Sequence, residues 1–384
     1  MIYLDNNATT RADPAVVEAM LPYWTELYLN PSSVAGEMLG AAKPIRAAKQ
    51  SVARLIGAEP SEIFLTSGAS ESNNWVIQSL AQRRIQQRGS FRILASSIEH
   101  PSILETIEAL KLNEPRIRFD LIPVSSTGQI DLQALEGMLD KKTDLVSIML
   151  ANNESGVIQP IHQAAKLVKS NCSECIFHTD ATQAVGKIQV DLCHELQHVD
   201  LLSLSAHKFH GPKGIGALFI RDGISLDRYM HGGNQQGGMR AGTENPALAA
   251  GMAQAAETAG RWLANMTSVE KLRDILESAL ISRRPEVRVL GSEAPRLPNT
   301  SLLLFPDHEG EVLVHVLFEH GIACSTGAAC SNGTDQPSHV VTAMGVAYDK
   351  ARKVIRISLS RMTDSREVEQ TIRILTPKTL FLEK

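Results

Sequence analysis

The most constraining feature of this sequence is a regular alternation of short apolar runs and helical patterns between about residue 60 and residue 220. The apolar runs are bounded by turns, which is typical of buried strands. Strands are predicted at 63–67, 92–96, 118–124, 145–151, 175–181, 201–205 and 216–220, and helices at 71–87, 101–110, 131–138 and 160–169. This alternation favours a mostly parallel α/β sheet that is covered by helices on both faces.

The sequence after residue 245 follows a different pattern. An alanine-rich segment from Pro246 to about Ser282 predicts a helix that bridges to a second domain. Beyond it, strands are predicted near 286–291, 300–305 and 354–360, and helices near 309–318 and 365–374. Because 384 residues are enough for two domains, we expect a large domain over residues 14–258 and a smaller α+β domain from residues 1–13 and 259–384.

Composition and charge argue against several classes of function. Hydrophobic residues make up 43% and charged residues 21%, and the net charge of -4 gives no broad basic surface for nucleic acid. No long apolar stretch is suited to span a membrane. The first residues lack the basic and apolar regions of a signal peptide, so a cytoplasmic location is predicted.

The five cysteines do not form the pattern of a disulfide framework or of a zinc site. Cys172 and Cys175 make one Cys-x-x-Cys pair between a predicted helix and a predicted strand, but no second pair completes a set of four ligands. We interpret this pair as incidental loop cysteines, and we expect no metal.

Lys208 closely follows the apolar strand 201–205, and Asp180 stands near the end of the predicted strand 175–181. Burial lowers the pKa of a lysine because the charged form loses solvation, and an uncharged lysine can attack a carbonyl carbon. A lone lysine after a strand is usually a solvated loop charge. Together, a lysine and a carboxylate at two strand ends match pyridoxal 5'-phosphate (PLP), since the lysine holds its aldehyde and the carboxylate keeps its ring nitrogen protonated.

Other polar residues also follow predicted strands, where ligands gather in open α/β sheets. The small residues from Ser67 to Ser70 precede a helix whose free backbone N–H groups can bind a phosphate. The imidazole of His100 can stack on a flat ring or move protons. The amides of Asn152 and Asn153 can bond a phenolate or a substrate. Further candidates at the strand ends are Gln183, Ser205 and His207.

A second chemical centre lies between Gly321 and His339, where small and turn-forming residues surround Cys330. We predict an exposed, mobile loop here, and Cys330 is the candidate nucleophile because an exposed cysteine can ionise and react. Cys324 is the weaker candidate, at the end of a short strand-like run. Arg356 lies within a predicted apolar strand, where a guanidinium suits bidentate capture of a substrate carboxylate.

Motifs over nearly the whole chain resemble those of the cysteine desulfurases, in the class V aminotransferase group of fold type I PLP enzymes. The motifs are specific only in combination: Tyr3-Leu-Asp-Asn-Asn-Ala-Thr-Thr10, Asn30-Pro-Ser-Ser33, Thr66-Ser-Gly-Ala-Ser-Glu71, Asn152-Asn-Glu154, Asp180-Ala-Thr-Gln183, Ser205-Ala-His-Lys208, Gly238-Met-Arg-Ala-Gly-Thr243, Pro337-Ser-His339 and Arg356. The long loop around Cys330 resembles that of the nitrogen-fixation and iron–sulfur assembly type.

The resemblance implies that the chain converts L-cysteine to L-alanine. Lys208 would hold PLP and move protons, while Asp180 would pair with the ring nitrogen and His100 would stack on the ring. Cys330 would take the sulfur as a persulfide and pass it to an acceptor protein, in iron–sulfur cluster assembly or in a thiolation pathway.

The resemblance also implies how cofactor and substrate are bound. Gln183 and Asn153 would bond the ring oxygen of PLP, and Arg356 with Asn30 would hold the substrate carboxylate. Thr243 would reach the phosphate from the second subunit of a homodimer. The other phosphate contacts would come from Ala69, Ser70, Ser205 and His207.

Two alternatives stay open at this point. A selenocysteine lyase or a class V aminotransferase would share the cofactor site, although a transaminase has no need for a cysteine on a loop. A non-catalytic binding protein on the same fold would be colourless and unable to take up the cofactor, and Lys208, Asp180 and Cys330 argue against it.

Overall fold

The structure is a computed structural model that describes residues 1–327 and 336–377. Its strands are β1 (Ile2–Tyr3), β2 (Ile63–Thr66), β3 (Phe91–Ser96), β4 (Ile117–Ile122), β5 (Leu145–Ser147), β6 (Ile176–Asp180), β7 (Leu201–Ser205), β8 (Gly216–Ile220), β9 (Arg288–Val289), β10 (Thr300–Leu304), β11 (Ile322–Ala323) and β12 (Val354–Ser358). Its helices are α1 (Pro14–Met20), α2 (Pro22–Thr25), α3 (Val34–Leu39), α4 (Lys43–Ile56), α5 (Ala69–Arg88), α6 (Pro101–Asn113), α7 (Leu132–Met138), α8 (Ile161–Asn171), α9 (Pro246–Trp262), α10 (Met266–Arg283), α11 (Gly310–Glu319), α12 (His339–Ala343), α13 (Tyr348–Ala351) and α14 (Ser365–Leu375).

A seven-stranded sheet with the order β2-β8-β7-β6-β5-β3-β4 forms the centre of the molecule. The pairs β3–β4, β3–β5, β5–β6 and β6–β7 are parallel, and β8 is antiparallel to both of its neighbours. The predicted α/β class with a mostly parallel sheet is therefore confirmed.

Burial on both faces explains the apolar sequence of the central strands. Every residue of β5, β6, β7 and β8 is buried. One hydrophobic cluster joins this sheet to α4, α8 and α9, and a second cluster joins it to α5 and α6. The sheet is held from two sides, which fixes the relative positions of its strand ends.

A smaller antiparallel sheet, β12-β10-β9, lies in the C-terminal part of the chain. It shares a separate hydrophobic cluster with α10, α11 and α14. Ile2 and Leu4 belong to the same cluster, and β1 pairs in parallel with β11. These contacts support a small domain built from both ends of the chain, and its boundaries at 1–13 and 259–384 stay a prediction.

Three predicted elements differ from the observed ones. The predicted strand 145–151 ends as a strand at Ser147, although the backbone N–H of Leu150 still donates to the oxygen of Asp180 at 2.9 Å. The predicted strand 286–291 shortens to β9. The alanine-rich helix is broken at residues 263–265, where Oγ of Ser268 donates to the backbone oxygen of Asn265 at 2.7 Å. Asn and Ser compete for backbone groups in this way and favour helix ends.

Among the residues that the structure describes, no helix is both long and apolar enough to cross a membrane.

Candidate active site

A cleft of about 840 Å³ opens at the carboxyl ends of β6 and β7. Parallel strands bring these ends to one edge of the sheet, so residues far apart in the sequence meet there. Most of the side chains that the sequence singled out line this cleft: Ala69, Ser70, His100, Asn153, Asp180, Gln183, Ser205, His207, Lys208 and Arg356. Asn30 and Thr243 are exposed and lie outside its described lining, and Cys330 lies outside the described residues.

Lys208 ends a short 3₁₀ helix, Ala206–Lys208, that directly follows β7. Its Nζ atom donates to the backbone oxygen of Asn7 at 2.6 Å and to that of Ala8 at 2.8 Å. Both acceptors belong to the segment after β1, so the N-terminal end of the chain holds the amine at the cleft wall.

Asp180 is the last residue of β6, and its carboxylate is buried. Oδ2 accepts a hydrogen bond from Nδ2 of Asn73 at 2.8 Å, and Oδ1 accepts one from the backbone N–H of Thr182 at 2.9 Å. These two bonds fix the plane of the carboxylate. Asn73 lies inside α5 and was missed in the sequence, because a polar residue within a helix gives no signal of a tertiary contact.

The amino end of α5 forms another part of the wall. The backbone N–H of Ala69 donates to Oγ of Ser205 at 2.7 Å. α5 has 20 residues, so its dipole and the backbone N–H groups of its first turn favour an anion here. An adjoining opening of about 420 Å³ is lined by Ser70, His207 and Lys213, which places a positive side chain at the same end.

His207 carries little charge at neutral pH. Burial, followed by the positive charges of Lys208 and Lys213, lowers the pKa of His207 to about 4. Its Nδ1 atom lies 3.1 Å from Oγ1 of Thr9. A neutral imidazole can donate to a phosphate oxygen from its other nitrogen, without adding a second charge to the site.

His100 lies at the start of α6 and caps that helix, since its Nδ1 accepts from the backbone N–H of Ser102 at 3.1 Å. Burial lowers the pKa of His100, and the nearby carboxylate of Asp180 opposes this shift. The ring is therefore held in one orientation beside Asp180 and is available for stacking on a flat ligand.

Asn7 connects the polar residues of the site, although we assigned it no role from the sequence. Its backbone oxygen accepts from Nε2 of Gln183 at 2.9 Å as well as from Lys208, and its Nδ2 donates to the backbone oxygen of Asn153 at 3.1 Å. Asn7 follows an apolar run, as the other site residues do. β1 has only two residues, however, which is too short for a strand pattern to be recognised.

Arg356 is buried within β12 and reaches the cleft. Nη2 donates to Oδ1 of Asp5 at 2.6 Å, and Nη1 donates to the backbone oxygens of Asn153 at 3.0 Å and Gly327 at 3.2 Å. Nε is buried and lacks a hydrogen-bond partner among the described residues. This unpaired donor is the group that a carboxylate ligand would satisfy.

Two buried glutamates, Glu99 and Glu154, hold the residues that follow Pro337, and the sequence predicted no role for either. Oε2 of Glu154 accepts from Oγ of Ser338 at 2.6 Å, and burial raises the pKa of Glu154. The backbone oxygen of Glu99 lies 3.0 Å from Nε2 of His339, and burial raises the pKa of Glu99 to about 8. These contacts fix one end of the segment that contains Cys330.

The other cysteines are less suited to react. Burial raises the pKa of Cys324 to about 12, so its thiol stays protonated at neutral pH. Cys172 and Cys175 are buried in the main core, so Cys172 is shielded from a substrate even though its hydrogen bond with Cys175 lowers its pKa to about 6. Cys193 is exposed, its thiol donates to the backbone oxygen of Gly57, and it lies outside the described lining of the cleft. In the described ranges, no cluster of His, Cys, Asp and Glu could hold a metal ion.

The residues present fit PLP. A phosphate suits the amino end of α5, an aldehyde suits the amine of Lys208, and a pyridine nitrogen suits the carboxylate of Asp180. Oγ1 of Thr182 and Oδ1 of Asn73 are buried beside this carboxylate without a partner among the described residues. Such polar atoms are expected where a polar ligand completes the hydrogen bonding.

Comparison with known proteins agrees with this fit. The model of the class-V aminotransferase family matches residues 2–371. A cysteine desulfurase of Cereibacter sphaeroides is 43% identical over 377 residues, which cover 98% of this chain and 95% of the relative. These proteins are PLP-dependent enzymes.

Two solved structures are also similar over most of their length. A NifS-like protein superimposes with a TM-score of 0.90 at 38% identity, covering 98% of each chain. A structure described as SspA in complex with cysteine gives a TM-score of 0.80 at 32% identity, covering 94% of this chain and 99% of the other. The resemblance seen in the sequence is confirmed, and the chain belongs to the cysteine desulfurases of the class-V aminotransferase family.

Proposed function

We propose that this chain converts L-cysteine to L-alanine with PLP and transfers the sulfur atom to Cys330 as a persulfide. The observation that carries the proposal is one cleft that contains the amine of Lys208, the carboxylate of Asp180 and the guanidinium of Arg356. The first two suit the cofactor and the third suits the carboxylate of an amino acid. That a related structure holds cysteine supports the choice of substrate.

The cofactor would be held by residues from several elements. Lys208 would bind its aldehyde, Asp180 would bind its ring nitrogen, and His100 would stack on its ring. Gln183 and Asn153 would donate to the ring oxygen. The phosphate would lie at the amino end of α5, with contacts from Ala69, Ser70, Ser205 and His207.

Arg356 would orient the substrate. Its guanidinium is fixed by Asp5 and by two backbone oxygens before any ligand arrives, so little side-chain entropy is lost on binding. Asn30 is bonded within its own turn, where its Oδ1 accepts from the backbone N–H of Ser32 at 2.9 Å. A role for Asn30 therefore requires a contribution from a second subunit or a movement of this turn.

The chemistry needs a base, an electron sink and a sulfur acceptor. Bound PLP supplies the electron sink for breaking the bond between Cα and its proton. Nζ of Lys208 would take this proton and return it to the product. The Sγ atom of Cys330 would attack the sulfur of cysteine as its bond to Cβ breaks. L-Cysteine and one thiol give L-alanine and one persulfide, so no oxidant or reductant is consumed.

We further propose that the enzyme is a homodimer and that Thr243 contributes to the phosphate site of the partner. Several large apolar side chains are exposed in the N-terminal part of the chain, namely Trp24, Tyr28, Val34, Met38 and Leu39. Apolar surface of this kind marks an interface. Thr243 is exposed and outside its own cleft, which agrees with a contact in trans.

The persulfide would be delivered to an acceptor protein of iron–sulfur cluster assembly or of a thiolation pathway. All four cysteines in the described ranges are free, as is common in the reducing cytosol where we propose the enzyme works.

The test is to incubate the purified protein with PLP, L-cysteine and a thiol reductant, and to measure alanine and sulfide. We expect both products in equal amounts from the wild-type protein and neither from Lys208→Ala. Lys166→Ala is the matched control, because Lys166 is exposed on α8 and lies outside the cleft and its adjoining opening. A wild-type protein that binds PLP and forms no alanine would contradict the proposal.

A further inference from the structure

Lys187 is a buried lysine that the proposed reaction does not use. Its side chain is 7% exposed, and no carboxylate of the described residues lies within 4.0 Å of its Nζ atom. Burial, followed by the positive charges of Lys208 and Arg356, lowers the pKa of Lys187 well below its usual value. A lysine in this position is costly to bury, so its contacts need an explanation.

The chain places Lys187 directly behind the cleft wall. After β6 it turns through residues 181–187, and Gly186 adopts a φ of +79° that L-residues rarely adopt. A Cβ atom at Gly186 would lie 2.7 Å from Cβ of Phe209, so no larger residue fits at this turn. The turn brings the side chain of Lys187 into contact with that of Gln183, which precedes it by four residues.

Nζ of Lys187 donates two hydrogen bonds to amide oxygens. One acceptor is Oε1 of Gln183 at 2.5 Å, and the other is Oδ1 of Asn7 at 3.1 Å. Both bonds run from Nζ to an amide oxygen, so the oxygen end of each amide points toward Lys187. Oε1 of Gln183 therefore faces Lys187, and Nε2 faces away from it.

The orientation of the Gln183 amide determines whether a hydrogen-bond donor or an acceptor faces the cleft. One N–H of Nε2 donates to the backbone oxygen of Asn7 at 2.9 Å. Gln183 lines the cleft, so its second N–H is left for a ligand there. If the amide turned over, an oxygen atom would replace this donor and would repel a negatively charged ring oxygen.

The second contact of Lys187 is with Asn7, and Asn7 in turn accepts a hydrogen bond from the amine of Lys208. Oδ1 of Asn7 accepts from Lys187 and also from Nδ2 of Asn299 at 3.0 Å, which holds the side chain of Asn7. The backbone oxygen of the same residue accepts from Nζ of Lys208 at 2.6 Å. Lys187 thus supports two groups of the cofactor site without lining the main cleft.

We propose that Lys187 is a positioning residue that fixes the amide of Gln183, and through Asn7 the amine of Lys208, in the orientation that the cofactor requires. The inference rests on the proposed function, because it assumes that Gln183 donates to the ring oxygen of PLP. A hydrogen-bond donor at this ring oxygen stabilises the negative charge of the oxygen. The oxygen then holds the proton of the linkage between PLP and Lys208 less strongly.

The test is a pH titration of the visible absorption of the PLP-loaded protein. We expect Lys187→Met to keep the cofactor and to raise the pH midpoint of the absorption change by about one unit, because the Gln183 amide loses one of the two hydrogen bonds that fix its orientation. Lys187 is one of the charged or titratable groups around Lys208 that influence this titration. The others, which the substitution leaves in place, are His100, Asp180, His207 and Arg356. Thermal unfolding of the same samples separates this effect from a loss of stability.

Lys169→Met is the matched control. Lys169 is also partly buried, and its Nζ atom lies 2.5 Å from Oδ2 of Asp200, near the amino end of β7. We expect this variant to lower stability and to leave the absorption midpoint unchanged. Equal shifts in both lysine variants would overturn the proposal.

A double variant tests whether Lys187 acts through Gln183. Gln183→Ala removes the amide, so adding Lys187→Met to it should give much less than the shift that Lys187→Met gives alone. Two full and additive shifts would overturn the proposal. If Lys187→Met does not fold, Lys187→Gln carries the test, because it keeps a donor and should retain the wild-type midpoint; a raised midpoint in a folded Lys187→Gln protein would count against the proposal.

The two proposals fail in different ways. If wild-type protein takes up no PLP at Lys208, the proposed function is wrong whatever Lys187 does. If the wild type is coloured and active and Lys187→Met has an unchanged midpoint, only the positioning role is wrong.

Discussion

Nη2 of Arg356 lies 2.6 Å from Oδ1 of Asp5, an ion pair between β12 and the segment that follows β1. The pair joins two parts of the chain that are 351 residues apart. Because Arg356 is buried, this pairing offsets part of the cost of removing its charge from water. The substrate carboxylate that we propose Arg356 binds would therefore meet a guanidinium that is already oriented.

Arg356→Lys tests this arrangement. Lysine keeps the charge but loses the planar donors, so we expect the KM for L-cysteine to rise by about ten- to a hundredfold, with a smaller change in kcat. Arg361→Lys is the control, since Arg361 forms the same kind of pair with Asp13 at 2.6 Å but lies outside the cleft lining. Equal KM values in the two variants would show that Arg356 does not bind the substrate.

Asp180→Asn tests the carboxylate at the end of β6. Asparagine can still accept the bond from Asn73, so the fold should persist, but the negative charge opposite the ring nitrogen is lost. We expect kcat for alanine formation to fall at least roughly a hundredfold. Asp200→Asn, at the start of β7 and bonded to Lys169, should lower stability and leave kcat nearly unchanged. A normal kcat in Asp180→Asn would rule out the role that we assign to Asp180.

His178 predicts a dependence of stability on pH. Its ring is buried between Oγ of Ser147 at 2.9 Å and Oγ of Ser203 at 3.0 Å, and burial lowers its pKa to about 4. The unfolded chain takes up a proton below about pH 6.5, whereas the folded protein does so only near its own lower pKa. The contribution of His178 to stability is therefore fully present above about pH 6.5, and it is lost as the pH falls from there toward 4.

The measurement is the free energy of unfolding of wild-type protein and His178→Asn at about pH 7 and about pH 4.5. We expect the advantage of the wild type to shrink by up to about 3 kcal/mol at the lower pH. His320→Asn, at an exposed position after α11, should show the same pH dependence as the wild type. A pH-independent difference for His178→Asn would mean that this histidine is not kept neutral by the fold.

The sheet could be predicted from the sequence because its strands are buried on both faces and alternate with helices. The strand-end rule then identified most residues of the proposed site, including Asp180, Gln183 and Lys208, whereas Arg356 was identified as a guanidinium within an apolar strand. Elements such as β1, β11 and α13 were missed, since two to four residues are too few to show a period.

The residues that support the site could not be predicted in the same way. Asn7, Asn73 and Lys187 act through contacts with residues far away in the sequence or across a tight turn. A buried lysine or asparagine looks like any surface residue until the tertiary contacts are known. The predicted roles of Asn30 and Thr243 involve residues outside the cleft of a single chain.

Sulfur transfer to Cys330 is tested by mass spectrometry of the protein after brief exposure to L-cysteine without a reductant. We predict one added sulfur atom on the peptide that contains Cys330, in the wild type and in Cys324→Ala, since the thiol of Cys324 is partly buried and its raised pKa keeps it protonated. Cys330→Ala should bind PLP normally, carry no persulfide and lose alanine formation. A Cys330→Ala protein that forms alanine and sulfide at the wild-type rate would contradict the central claim.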